Sequence, residues 1–287
     1  MLLKTDIIEH VKNDPVKLHQ LSMETTRRCN LACAHCYKGD ADAIDSDPEI
    51  PGVLFNYFQD VDFICLQGAE PFMNTEGLRQ INTALKENKV SFGSFSFVTN
   101  GTILDEEFLD ILEDIHDKSD KNKNIYGVDG WRYWTGVSFS VSNDGWHEDA
   151  LKAIGLTRKD VENNYLIMKE KHPRLGIRLR EYIEKTPVPL VPAGRSKNVG
   201  GRRPLVRYKN KTLSSFFVEK GEPFKDFTCA DQKTLTEFQV NARGDVMNSW
   251  MSNDESDKAL FGNILKQPIP EILIKHAHDD LYASHDC

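Results

Sequence analysis

Residues 61–68, VDFICLQG, form a nearly continuous apolar run that stops at a glycine, and this run narrows the possible folds more than any other feature. A strand exposed on one face alternates apolar and polar residues, whereas a parallel strand covered on both faces does not. The theme recurs. Residues 92–101 (FGSFSFVTNG) and 135–145 (TGVSFSVSNDG) join small and aromatic residues to a polar, glycine-containing turn, and Leu21, Met23 and Thr25 share one face of an earlier run. Residues 175–185 and 188–195 are weaker fifth and sixth strands, the last demoted by its prolines. Helical stripes lie between them: Leu78, Ile81 and Leu85 within 75–89, and Phe108, Leu112 and Ile115 within 105–118, where Asp105 can cap the start. Residues 158–172 give a third helix. Strands alternating with amphipathic helices predict an α/β fold of about six βα units across residues 18–195, with ligands at the carboxyl ends of the strands.

With 287 residues, 39% of them hydrophobic and 28% charged, the chain can bury a sizeable core and is not wholly disordered. Its net charge of −8 argues against a general nucleic-acid binder. No apolar run reaches the about 18 residues of a membrane span. The start of the chain breaks its apolar character with Lys4, Asp6 and Glu9, unlike a secretory signal, so the expected location is cytoplasmic. In that reducing setting the six cysteines are expected to be metal ligands or core thiols rather than disulfides.

The cysteines are unevenly placed. Cys29, Cys33 and Cys36 crowd one loop directly after the first strand, while Cys65, Cys229 and Cys287 stand apart. Three thiolates in so short a loop can hold three corners of an iron–sulfur cubane and leave one iron open. Zinc is the competitor, since His35 completes a nominal Cys3His set, although adjacent residues seldom converge on one ion. Fortuitous thiols are the third reading. Cys65, in the apolar middle of its strand, reads as a buried core thiol.

The run CNLACAHCY at 29–37 resembles the C-x3-C-x-(aromatic)-C signature of radical S-adenosylmethionine (SAM) enzymes, with His35 in the aromatic position near the adenine. Further motifs follow in order. Gly68-Ala69-Glu70-Pro71 is similar to the family's Gly-Gly-Glu-Pro, with Ala69 in place of the second glycine; VTNG ends the third strand; and Ser142-Asn143-Asp144-Gly145 is similar to Ser-x-Asp-Gly. Pro192-Ala193-Gly194-Arg195 resembles the Pro-x-Gly-Arg of members with a SPASM or Twitch C-terminal extension. Taken singly, each strand-end motif reads first as turn chemistry, and their joint order behind the cysteine triplet reverses that.

The resemblance implies a partial (βα)6 TIM-like barrel with a small α+β C-terminal extension. It divides the chain into an N-terminal segment (1–17), the barrel (18–195), a basic loop (196–211) and the extension (212–287). It implies one [4Fe-4S] cluster on Cys29, Cys33 and Cys36 and SAM bound by His35, Gly68, Ala69, Glu70, Asn100 and Ser142. Glu70 positions SAM, and Gly68 and Ala69 let backbone approach the ligand. Reductive cleavage of SAM then gives a 5′-deoxyadenosyl radical that abstracts hydrogen from the substrate.

The extension has a hairpin-like FQVNARGDVMNSW and a helical PEILIKHAH, but Trp250 stands where the next cysteine is expected. Two thiols, Cys229 and Cys287, are too few for an auxiliary cluster. His276, His278 and His285 read as a polar terminus rather than a metal site. Members with such tails often modify peptides, so a peptide or protein substrate leads, with a flavodoxin- or ferredoxin-like electron donor and no membrane or nucleic-acid partner. A nucleotide or other small metabolite is the second reading, and a non-catalytic metal-binding regulator the third. The stretch 195–211, with seven Lys or Arg and no acid, suits an anionic ligand or plain solvation, and Trp131, Tyr133 and Trp134 suit either a pocket or an anchor.

Overall fold

The first predicted strand is the centre of the molecule: β1 (Lys17–Thr26) pairs in parallel with a neighbour on each side. The structure is a computed structural model, and it describes residues 9, 11, 16–123, 135–182, 195, 234–247 and 260–277. After β1 come α1 (Ile50–Tyr57), β2 (Asp60–Gly68), a 3₁₀ turn (Pro71–Met73), α2 (Thr75–Glu87), β3 (Ser91–Thr99) and α3 (Glu106–Lys118). Then follow β4 (Gly136–Val141), α4 (Gly145–Ala153), α5 (Arg158–Lys171) and β5 (Gly176–Leu179). The C-terminal part adds β6 (Thr234–Val240), β7 (Asp245–Met247), β8 (Leu260–Asn263) and α6 (Ile269–Ala277). One sheet holds all eight strands in the order β5-β4-β3-β2-β1-β6-β7-β8, parallel from β5 to β6 and antiparallel beyond. This is the expected α/β architecture, an open sheet of the partial-barrel kind.

Local chemistry explains the helices. The Asn74 side chain accepts from the Gly77 amide to cap α2, and Asp105 accepts from Phe108 to cap α3. Leu78, Ile81 and Leu85, and Phe108, Leu112 and Ile115, are all buried, as their spacing predicts. Two helices were not anticipated. α1 carries Pro51 and Gly52 in its first turn, which hides it from a periodicity reading, and α4 starts where residues 142–145 read as a turn. Asp144 is in fact the α4 cap, accepting from the Trp146 and His147 amides. Thr157 and Asp160 form a capping box on α5.

The sheet has two unlike faces. Towards the helices it is apolar: Phe97 stacks on Phe139 at 4.7 Å between ring centres, and Phe108 of α3 lies on Phe72 at 4.2 Å. The opposite face carries a polar row. Gln239, Ser22, Cys65, Ser96, Ser138 and Gly176 are register neighbours in one row across β6, β1, β2, β3, β4 and β5. Cys65 is therefore half-buried on the polar face, not a core thiol. The apparent continuity of VDFICLQG hides an alternation of faces: Phe63 and Cys65 point away from the apolar layer that Ile64 and Leu66 join.

β6 also departs from expectation. The hairpin-like segment does turn back, through Asn241–Gly244 with Gly244 at φ +82°, but its first strand continues the barrel sheet in parallel beside β1. The proposed sixth strand, 188–194, lies outside the described residues. So do the 124–134 aromatics, the basic stretch beyond Arg195, Cys229, Trp250, His278, His285 and Cys287. The side chain of His276 is likewise not described.

Candidate functional site

The loop carrying the three cysteines leaves β1 at Thr26 and is closed at its base. The Arg27 amide donates to the Ile44 carbonyl at 2.7 Å, the Asp42 amide donates to the Arg27 carbonyl at 3.0 Å, and the Thr26 hydroxyl donates to Asp45 at 2.7 Å. Inside that closure, the Cys36 amide donates to the Cys33 carbonyl and the Gly39 amide to the Cys36 carbonyl, giving two successive turns. The loop therefore presents its thiols from a pinned frame. Glu24 braces it from β1, accepting from Lys38 at 2.5 Å, from Arg27 at 3.2 Å and from the Ala242 amide at 3.2 Å. Burial alone would raise Glu24, but Lys38 and then Arg27 hold its carboxyl below the usual range.

Cys33 is buried, Cys29 and Cys36 are half-buried, and all three are free thiols. Burial pushes Cys33 up to about 12, and the neighbouring Cys29 and Cys36 add to the shift. Cys29 is also raised, first by burial. Three mutually repelling thiolates need a cation among them, so the donor set fits an iron–sulfur cluster bound by three cysteines. The Leu31 amide reaches the Cys29 sulfur at 3.4 Å and Asn100 Nδ2 reaches it at 3.9 Å.

The strand ends gather the other predicted residues. Asn100 also donates to Asn30 and accepts from Thr102, so its amide is committed to the Cys29 surroundings. Glu70 is buried, and its carboxylate accepts from the Asn100 amide (2.7 Å), the Thr99 hydroxyl (2.7 Å) and the Phe72 amide (3.1 Å). Among the described residues, one acceptor position, on Oε2, is left. Burial pushes Glu70 up to about 7 against these three donors. The Ala69 amide donates to the Thr26 carbonyl and the Glu70 amide to the Arg28 carbonyl. Gly68 sits at φ +118°, and a Cβ there would lie 2.2 Å from the Thr26 oxygen. Its close approach is to β1 itself. The Ser142 amide donates to the Thr99 carbonyl at the end of β3.

His35 does not join Cys36. Its ring nitrogen, the Cys33 sulfur and a nitrogen of His147 lie within 4.8 Å of one another, and His35 meets the His147 ring edge-on at 4.9 Å. Nδ1 of His35 is buried without a hydrogen-bond partner in the described structure. Burial lowers the pKa of His35. His147, in the first turn of α4, was not anticipated, nor was Asp144, whose Oδ2 lies 2.8 Å from His147 Nδ1. Burial would raise Asp144, but His147 and His35 hold it below its ordinary value. The sequence signal was present: an N-cap Asp three residues before a His aims both at one point.

Residues 23–119 match the model of the Radical SAM superfamily. The likeness to the radical SAM superfamily thus lies in the stretch that carries the cysteine loop, β2 and β3. The cofactors of that superfamily are a [4Fe-4S] cluster and SAM. The chain is 32% identical over 124 residues to the antilisterial bacteriocin subtilosin biosynthesis protein AlbA of Bacillus subtilis (strain 168). That match covers 40% of this chain and spans only 24% of AlbA. Two solved radical SAM structures share the fold. Native anSMEcpe, with bound AdoMet and Cp18Cys peptide, aligns at a TM-score of 0.50 and 15% identity over 89% of this chain and 80% of its own. Streptococcus suis SuiB bound to S-adenosylmethionine aligns at 0.50 and 11% identity over 93% and 67%. Among the described residues no helix is long and apolar enough to cross a membrane.

Proposed function

We propose that this chain is a radical SAM enzyme of the peptide-modifying, oxidoreductase type that abstracts hydrogen from a peptide or protein. Cys29, Cys33 and Cys36 hold the cluster, and His35, Gly68, Ala69, Glu70, Asn100 and Ser142 form the SAM shell around it. When bound, cluster and SAM supply a 5′-deoxyadenosyl radical. Glu70 and Asn100 act chiefly by holding the ends of β2 and β3 in one frame, with the free position on Glu70 Oε2 open to an ammonium group. The electron donor is a flavodoxin- or ferredoxin-like protein. Residues 212–287 are a SPASM/Twitch-like extension without a full cysteine set.

The observation that carries the peptide reading is the polar row on the face of the sheet away from the helices. Ser22, Cys65, Ser96 and Ser138 line it in one row, small enough to leave room, and Gln67 and Gln239 flank them beside the Glu24–Lys38 pair. Hydroxyls and carboxamides match the donors and acceptors of a peptide backbone. AlbA, named for bacteriocin biosynthesis, and anSMEcpe, seen with a peptide, are in keeping with this reading.

The test is anaerobic reconstitution with iron, sulfide, reductant and SAM, followed by assay for 5′-deoxyadenosine. The expected outcome is a brown protein that cleaves SAM, a colourless Cys33→Ala variant, and a brown Cys65→Ala variant. Deuterium from a labelled candidate peptide, and not from a labelled nucleotide, should enter the 5′-deoxyadenosine. Wild-type protein that makes no 5′-deoxyadenosine under any condition would remove the enzyme reading and leave a metal-binding regulator.

A further inference from the structure

We propose that Arg195 is a positioning residue for the cysteine loop, and that its charge raises the reduction potential of the cluster held there. The inference rests on Cys29, Cys33 and Cys36 being the cluster ligands. Arg195 comes from the far end of the barrel segment, yet it makes three bonds within the loop. Its amide donates to the Cys36 carbonyl at 2.9 Å, its Nε donates to the Cys33 carbonyl at 2.9 Å, and its Nη1 meets Asp40 Oδ1 at 2.8 Å. The two carbonyls are the acceptors that close the turns 33–36 and 36–39. One residue therefore fixes the backbone at two of the three ligand positions, and it does so with a planar donor set that a lysine lacks.

The electrostatic part follows from where the counter-charges lie. Lys38 and Arg27 share the buried carboxylate of Glu24. Asp144, the carboxylate that acts on Cys33, is engaged by His147. Arg195 is paired with Asp40, whose side chain is 91% exposed and so screened by water, while Arg195 itself is only 24% exposed. A cation held against the ligand backbone favours the more negative, reduced state of a thiolate-bound cluster, because net charge and hydrogen bonding set its potential.

The experiment uses the full chain, anaerobically reconstituted, as wild type, Arg195→Lys and Arg195→Gln. Iron content, the rate of iron loss to a chelator and the midpoint potential from a redox titration followed by electron paramagnetic resonance are measured. For Arg195→Gln the expected result is about a tenfold fall in the equilibrium constant for reduction, about 59 mV more negative for one electron, with faster iron loss. Arg195→Lys should keep a potential near wild type but still lose iron faster, separating charge from geometry. Should Arg195→Gln take up no cluster, that supports the positioning role, and Asp40→Asn, which removes the counter-charge of Arg195, then carries the charge comparison through a more positive potential, an unchanged one overturning the electrostatic part. Unchanged potential and unchanged iron loss in Arg195→Gln would overturn the proposal. Wild-type protein that binds no cluster would overturn the ligand assignment beneath it, a failure visible before any variant is compared.

Discussion

Lys38, two residues beyond the last cysteine of the loop, reaches back to Glu24 in β1 and closes an ion pair at 2.5 Å with both side chains buried. Arg27 and the Ala242 amide complete the carboxylate's partners, so this one group joins β1, the cysteine loop and the β6–β7 turn. Removing a single partner of a buried pair leaves an uncompensated charge, which typically costs about 3 to 5 kcal/mol. Lys38→Met should therefore destabilise the chain by about 3 kcal/mol, the low end because Arg27 remains. Urea denaturation of wild type and variant at neutral pH measures it. A loss below about 1 kcal/mol would mean that the pair contributes no more than a surface contact.

Gly68 and Ala69 respond oppositely to change. At Gly68 the positive φ and the 2.2 Å approach of a would-be Cβ to the Thr26 oxygen leave no room for a methyl, and the obstacle is backbone that cannot move aside. Gly68→Ala should cost about 3 kcal/mol or more. Ala69→Gly, which restores the family's second glycine, should cost under about 1 kcal/mol. Thermal melts of the two variants give the comparison, and equal losses would contradict the geometry.

Glu70 should make stability pH-dependent. Its ordinary value is 4.5 and burial pushes it up to about 7 in the fold. Between those values the folded chain keeps a proton that the unfolded chain has released. The stabilising share is therefore complete below pH 4.5 and is lost as pH rises through about 7. The shift corresponds to roughly 3 kcal/mol. In cofactor-free protein, the stability of wild type minus that of Glu70→Gln should fall by roughly this amount from pH 4.5 to pH 8. A flat difference would show that the amides of Asn100 and Phe72 and the Thr99 hydroxyl keep the carboxylate ionised throughout.

The sequence by itself determined the strands β1 to β5, the helices α2, α3 and α5 between β2 and β5, the caps and stripes of α2 and α3, and the grouping of Cys29, Cys33 and Cys36, because all of these depend on residues close together in the chain. Periodicity and short-range capping are written locally. Only the tertiary structure decided which side of β2 Cys65 faces, since a run apolar on both sides does not say which face meets the helices. It alone seated β6 beside β1, set Glu70 among the Thr99 and Asn100 donors, drew His147 to His35 and Cys33, and laid Arg195 against the cysteine loop. Those relations join residues distant in sequence, and a parallel sheet brings them together only at its strand ends, where register and crossover, rather than local preference, choose the neighbours.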